Sequence, residues 1–481
     1  MSIEKLIGRE YECGRLDRCM SEDRAQLITI SGRRRVGKTY LIDRYFNRRF
    51  DFKITGYEKQ PKDIQLQNFA NELSRQTRTE QKVPANWMKA FEMLRSYLES
   101  LPSDEKAVVF FDEMPWMDTP RSGFLPAFEG FWNSWGYAQD NLVFIVCGSA
   151  TSWIIDHIDG NKGGLFNRKT TGLFLNPFTL KDTEEYLKRI KGIEWNRLDI
   201  AELYMILGGM PYYLSLLDPE LSYRQNIDEL FFRKRAELSD EFSRLYRALF
   251  SNSDQYIKLV EALSTKRIGL TRTEIEKLTG LPKNGDLTRM LENLINSGFV
   301  NISNYYGNKK QHNMYRLSDY FTQFYLRFVK DYSGRDEHFW SNTLDNPSVR
   351  VWAGLTFEQL CKDHIPQIKK KLGIAGVLSE ESSWFRKTNP DNAAENSGAQ
   401  IDLLIDRRDR VINICESKFS INEFTIDKEY DSKLRNKIDA FRQDTKTNKT
   451  LQLTMITTFG VKQGKYSSIA GSQVTLDDLF E

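Results

Sequence analysis

The sequence predicts an α/β protein: a doubly wound parallel sheet around a phosphate-binding loop, then a helical lid, a winged helix-turn-helix and a second α/β domain. Three observations predict it. Strand-like apolar runs at 27–30, 52–55, 108–111, 142–146 and 173–175 alternate with helical patterns such as 64–76 and 87–98. The first run leads into G-x-x-x-x-G-K-T, and the pattern changes after Tyr256 to short helices and then to strand pairs. The boundaries expected are 1–178 for the first domain, 179–252 for the lid, 253–335 for the winged helix and 345–481 for the last domain.

Residues 27–39 read LITISGRRRVGKT, a strand, a glycine-rich loop and the start of a helix. Gly32 and Gly37 let the backbone turn so that the N–H groups of the loop, Val36 included, point at phosphate oxygens. Lys38 is expected to reach the β and γ phosphates. Thr39 offers a hydroxyl to Mg2+ at a helix N-terminus, whose free N–H groups favour anions. A nucleoside triphosphate with Mg2+ is the ligand this pattern implies.

The run AVVFFDE at 107–113 reads as a strand buried on both faces that ends in two acids, where parallel sheets place their ligands. Asp112 is the candidate for the Mg2+ shell and Glu113 for polarising the attacking water. Pro177 closes the last strand pattern, and Thr179 is a candidate cap for the helix TLKDTEEYLKRI that opens the lid.

From Tyr256 onward YIKLVEALST, TRTEIEKLTG and DLTRMLENLINSG give three helices, and two strands joined around Gly307 complete a winged helix. Between residues 241 and 330 there are 14 Lys or Arg against 8 Asp or Glu, a surplus of six that favours nucleic acid. Lys309, Lys310 and His312, beside Tyr305 and Tyr306, are placed to meet phosphates. Yet Arg289 is the third helix's lone basic side chain, so a spacer without DNA contact stays open.

Size and composition set the frame. The chain has 481 residues, enough for about three domains, with 40% hydrophobic and 28% charged residues and a net charge of +3. That charge gives no global argument for nucleic acid. No apolar stretch has the length of a membrane span, and MSIEKLIGRE lacks a secretory apolar region, so a cytoplasmic location and no membrane partner are expected. Five scattered cysteines and four dispersed histidines argue against a disulfide framework, a zinc site or a histidine-dependent nucleophile.

IGRE at 7–10, the loop at 32–39, FFDEMPW at 110–116, CGSATSWI at 147–154, LNPF at 175–178 and GGMPYYL at 208–214 resemble the archaeal-type ATPases of the AAA+/STAND superfamily. The resemblance implies that Gly8 and Arg9 lie beside the adenine, that Ser149 senses the γ phosphate, and that Pro211 packs on the nucleotide from the lid. It also offers Arg168, in GLFNRKT, a sensing or finger role, with a solvated arginine as the alternative. Relatives are monomeric or assembled, so a homo-oligomer or a protein partner is open.

Near the C-terminus QIDLLI at 400–405 and VINICESK at 411–418 are strand patterns joined by a polar turn. Alternation puts Glu416 and Lys418 on one face, with Asp402 approaching from the hairpin partner. Two carboxylates can hold a divalent metal, and a lysine can orient water for attack on a phosphodiester. The arrangement resembles the PD-(D/E)XK, or restriction-endonuclease-like, core. Glu358 in GLTFEQLCKDHI matches the acid that fold supplies from a helix, and no Pro precedes Asp402. The resemblance implies a second Mg2+ or Mn2+ held by Glu358, Asp402 and Glu416, with Lys418 as catalytic lysine; degenerate relatives bind without cutting.

The sequence therefore predicts a P-loop ATPase whose nucleotide state controls a DNA-binding or DNA-cleaving domain. The rival is a STAND-like switch that holds ATP and contacts a protein or DNA through a non-catalytic nuclease-like domain.

Overall fold

The structure, a computed structural model, describes residues 6–148, 151–159, 164–165, 167–282, 284–307, 314–344, 346–386 and 398–481. The chain divides into two compact units. One comprises Met1–Pro177 with Met210–Tyr212 and Glu292–Gly298, and the other comprises the remaining segments from Phe178 to Glu481.

The first unit is built on five parallel strands: β1 (Gln26–Gly32), β2 (Phe52–Thr55), β3 (Ala107–Asp112), β4 (Leu142–Cys147) and β5 (Thr171–Leu175), in the order β2-β3-β4-β1-β5. Every residue of β1, β3 and β4 is buried. Such strands read as continuous apolar runs because both sheet faces are covered. The expected strands all fall inside the observed ones.

Helix Trp87–Leu98 shows how a face is chosen. Asn86 caps it by accepting the Lys89 N–H, and Trp87, Ala90, Phe91, Leu94 and Leu98 form its buried stripe. Phe91 stacks on Phe111 of β3 at 5.9 Å between centroids, which ties the helix to the strand that ends in Asp112.

In the second unit Thr179 caps Leu180–Tyr186 in a reciprocal box with Asp182. Helices Ser253–Ser264 and Arg272–Thr279 follow, the second begun by another box between Thr271 and Glu274. Strands β6 (Leu270–Thr271), β7 (Val300–Ser303) and β8 (Met314–Leu317) form a small antiparallel sheet in the order β6-β8-β7. Lys309, Lys310 and His312 lie outside the described residues.

A second five-stranded sheet has the order β13-β12-β11-β10-β9, from β9 (Ser379–Arg386), β10 (Ala399–Arg407), β11 (Val411–Lys418), β12 (Thr450–Thr457) and β13 (Ser472–Thr475). β9 to β11 run antiparallel and β11 to β13 parallel, with helix Lys428–Thr445 between β11 and β12. The β9–β10 register shifts between Ile401 and Leu404, a bulge that lets both of these fully buried residues join one core. Ser383 on β9 also accepts the Tyr306 N–H at 2.8 Å and donates to Asn304 O at 2.9 Å, so the chain after β7 is stitched to this sheet. No described helix is long and apolar enough to cross a membrane.

Candidate functional site

The glycine-rich loop is shaped where β1 ends. Gly32 has φ 137°, and a Cβ there would lie 2.5 Å from the Leu175 carbonyl oxygen on β5, so only glycine fits. Gly37, at φ 91°, opens helix Lys38–Tyr45. The Lys38 side chain is buried, and its Nζ donates to Gly32 O at 2.9 Å and Arg33 O at 3.0 Å. The ammonium is therefore held over the loop's own carbonyls.

Thr39 Oγ1 lies 3.1 and 3.0 Å from Asp112 Oδ1 and Oδ2. Asp112 is 4% exposed. Burial and the charge of Glu113 push its carboxyl above the usual carboxylate range, against hydrogen bonds from Thr39 and Cys147. Glu113 sits in the left-handed region at φ 48°, and its backbone N–H donates to Asp112 Oδ1 at 3.1 Å.

Other predicted residues surround this core. Arg9 donates to Val36 O at 3.2 Å and Asn176 O at 2.9 Å and pairs with Glu12 at 3.6 Å. It braces the loop and the end of β5 from a turn entered through Gly8, at φ 60°. Val36 is 1% exposed, so its side chain anchors the loop while its backbone shapes it. Pro211 begins the short helix Pro211–Ser215 beside the loop: the Tyr212 N–H donates to Arg35 O at 3.4 Å, and the Arg35 guanidinium lies 3.8 Å from the Tyr212 ring centroid. The sequence reading did not single out that pair; three consecutive arginines inside the loop were its signal. Ser149 lies outside the described residues. Arg168 stacks on Tyr137 at 4.4 Å, and among the described residues its guanidinium is not joined to Lys38, Thr39 or Asp112.

The second constellation assembles differently from the expectation. Antiparallel pairing places Leu403 opposite Cys415, and one further step along that ladder leads to Asp402 and Glu416. Lys418 Nζ is 3.2 Å from Glu416 Oε1. Glu416, however, is 6% exposed and also accepts from Tyr430 at 2.6 Å and Lys437 at 2.7 Å. Burial would raise its carboxyl, but Lys437 and Lys418 hold it below the usual range. Glu358, on helix Pro347–Asp363, pairs with Arg267, which lies 3.6 Å from Asp402. Among the described residues no group of three His, Cys, Asp or Glu is placed to hold a metal ion. Cations occupy the expected ligand positions: Arg267 joins Glu358 and Asp402, while Glu416 is claimed by two lysines and a tyrosine. Of this basic company only Lys418, two residues from Glu416 on the same strand, was signalled by the sequence, because Arg267 and Lys437 come from distant elements.

The loop, the strand-end acid and the five-stranded parallel sheet all lie within one N-terminal stretch of the chain. Residues 6–217 match the family described as an ATPase domain predominantly from Archaea. An uncharacterized protein of Methanocaldococcus jannaschii is 24% identical over 403 residues, 83% of this chain and 83% of that protein. Among solved structures, a Walker-type ATPase of Pyrococcus abyssi is similar in fold, with a TM-score of 0.50 and 19% identity over 68% of this chain and 97% of that one. The ORC2 protein of Aeropyrum pernix aligns with a TM-score of 0.39 and 14% identity over 65% of this chain and 90% of its own.

Proposed function

We propose that the N-terminal unit binds and hydrolyses MgATP and that its nucleotide state governs nucleic-acid contact by the C-terminal part of the chain. The carrying observation is the convergence of Lys38, Thr39 and Asp112 at the ends of β1 and β3. These residues fit the ligand. Lys38 is already aimed over the loop, and the loop backbone approaches β5 too closely for any side chain at Gly32. Thr39 and Asp112 would hold Mg2+, which when bound neutralises charge on the β and γ phosphates. Lys38 would take the β and γ oxygens in exchange for its two carbonyls. Asp112 would be held ionised by the metal, and Glu113 would orient water. Ser149 and Arg168 remain proposed sensors, and Gly8, Arg9 and Pro211 would border the adenine.

ATP turnover by wild type and Lys38→Ala tests this, with hydrolysis expected to fall to background in the variant. Equal turnover would remove the proposal.

For residues 253–335 we propose a winged helix, and for 345–481 a nuclease-like domain. The cation-filled carboxylates favour the second reading of that domain, a STAND-like switch that binds DNA or a protein partner without cutting it. Incubation with linear and circular DNA, with and without ATP and Mn2+, separates the readings: cleavage that Asp402→Ala abolishes would restore the enzyme.

A further inference from the structure

Basic side chains from the three-helix and hairpin segments line cavities that ATP chemistry leaves unused. Arg267, just before β6, and Arg316, on β8, line a groove of about 440 Å3 with Lys266 and Arg327, and Glu358 is the one carboxylate in its lining. That volume lies within the range of about 300–1,000 Å3 usual for ligand sites. Arg316 and Lys362 also border a second cavity of about 250 Å3, whose lining includes the carboxylates of Asp363, Glu381 and Asp402. A cleft of about 20 Å3 is bordered by Arg267, Arg316, Lys362 and Asp402 together.

These cations are unequally satisfied. Arg267 has Glu358 and Asp402, and Lys266 pairs with Glu274. The Arg316 and Lys362 side chains, both half-buried, make no hydrogen bond or ion pair among the described residues, and Arg316 Nε is shielded from solvent without an acceptor. The nearby acids are engaged elsewhere: Asp363 accepts from Tyr320 at 2.5 Å, and Glu381 pairs with Lys369 at 3.5 Å. Burial and the charge of Arg316 push the Lys362 ammonium down to about 8, and the same two causes lower Arg267. Crowded, partly dehydrated donors of one sign suit an anion whose oxygens accept several N–H groups at once, and the planar guanidinium is shaped for phosphate.

We propose that the groove walled by Arg267, Arg316 and Arg327, continued by Lys362, is a phosphodiester-binding channel that leads a nucleic-acid strand past Asp402. The assignment rests on the nucleic-acid reading above for the source of the phosphate. The backbone stitch between Tyr306 and Ser383 fixes the hairpin to β9, so the arginines and Asp402 keep their register. Because the donors are already in place, binding needs no divalent metal.

Fluorescence anisotropy of a short labelled single-stranded oligonucleotide, in chelator and over a salt series, tests the channel. Arg316→Gln and Lys362→Met should each weaken binding about tenfold and lower the slope of log Kd against log salt by about 1. Arg316→Lys should recover part of the loss, and unchanged ATP turnover certifies that each variant is folded. Calorimetry with inorganic phosphate is the second arm. If the oligonucleotide binds equally to wild type and both variants, the channel is overturned while the nucleic-acid reading stands. If phosphate binds through Arg316 and Lys362 and the oligonucleotide does not bind, the anion site stands and the nucleic-acid reading fails. If neither probe depends on these residues, the assignment is withdrawn.

Discussion

The hydroxyl of Thr39 reaches both carboxylate oxygens of Asp112, at 3.1 and 3.0 Å, across 73 residues of sequence. The first turn of a helix and the last residue of a strand are thereby linked directly.

Loss of that bond should show in affinity before it shows in folding. Thr39→Ala is expected to weaken Mg2+-dependent ATP binding by about 10–100-fold, the usual effect of removing a group that orients a metal ligand. Asp112→Asn should bind Mg2+ poorly yet melt no lower than wild type, because a buried carboxyl that resists ionisation is replaced by a neutral isostere. Calorimetry and thermal melts read both. A Thr39→Ala protein with wild-type affinity would count against the assignment.

Gly32→Ala should fail for a backbone reason. Its Cβ would meet Leu175 O at 2.5 Å with φ at 137°, so β1 and β5 must part, at a cost of about 1–3 kcal/mol. Denaturant unfolding of the variant should show that loss, and a stability equal to wild type would contradict the close approach.

His364 supplies a pH dependence. It is 1% exposed, its Nδ1 lies 2.9 Å from Leu360 O, and its Nε2 accepts the Leu180 N–H at 3.2 Å, which requires the neutral ring. Burial lowers its pKa below 6.5. As pH falls below 6.5 the unfolded chain takes up the proton first, so stability should decline from there until the lowered value is passed. Melting temperatures between pH 7 and 5 measure this. In His364→Gln the decline should flatten, and an identical slope in the variant would place the titration elsewhere.

Glu416 titrates with the opposite logic. Lys437 and Lys418 hold its carboxyl low against burial, so their stabilisation is complete above the usual carboxylate range and is lost as pH falls through the lowered value. Lys437→Met removes the partner at 2.7 Å and should cost about 1–3 kcal/mol at neutral pH. Its acid-unfolding midpoint should move to higher pH, and an unmoved midpoint would mean that Lys437 is dispensable.

The first unit was legible because its signals are local. β4 and β3 up to Asp112 are unbroken apolar runs, β1 is mostly apolar and fully buried, and Gly32, Gly37, Lys38 and Thr39 sit within one loop and turn. The C-terminal sheet was half legible. β10 and β11 carry apolar stretches, but β9 reads SEESSWFR with Trp384 its one buried residue, and β13 is four residues long, so neither bears a strand pattern. The companions of the acids were hidden for another reason. Arg267 and Lys437 are 91 and 21 residues from Glu358 and Glu416, and nothing in a linear pattern states which cation folds onto which carboxylate. His364, read only as packed or solvated, proves to be packed.

The irregularity between Ile401 and Leu404 has a practical meaning for engineering. Since the extra residue lets two apolar neighbours on either side of Asp402 turn inward together, the aim of that acid is written into the main chain. Excising one residue there would leave the interior sealed yet swing the carboxylate away from Arg267, and lengthening a side chain next door could not bring it back.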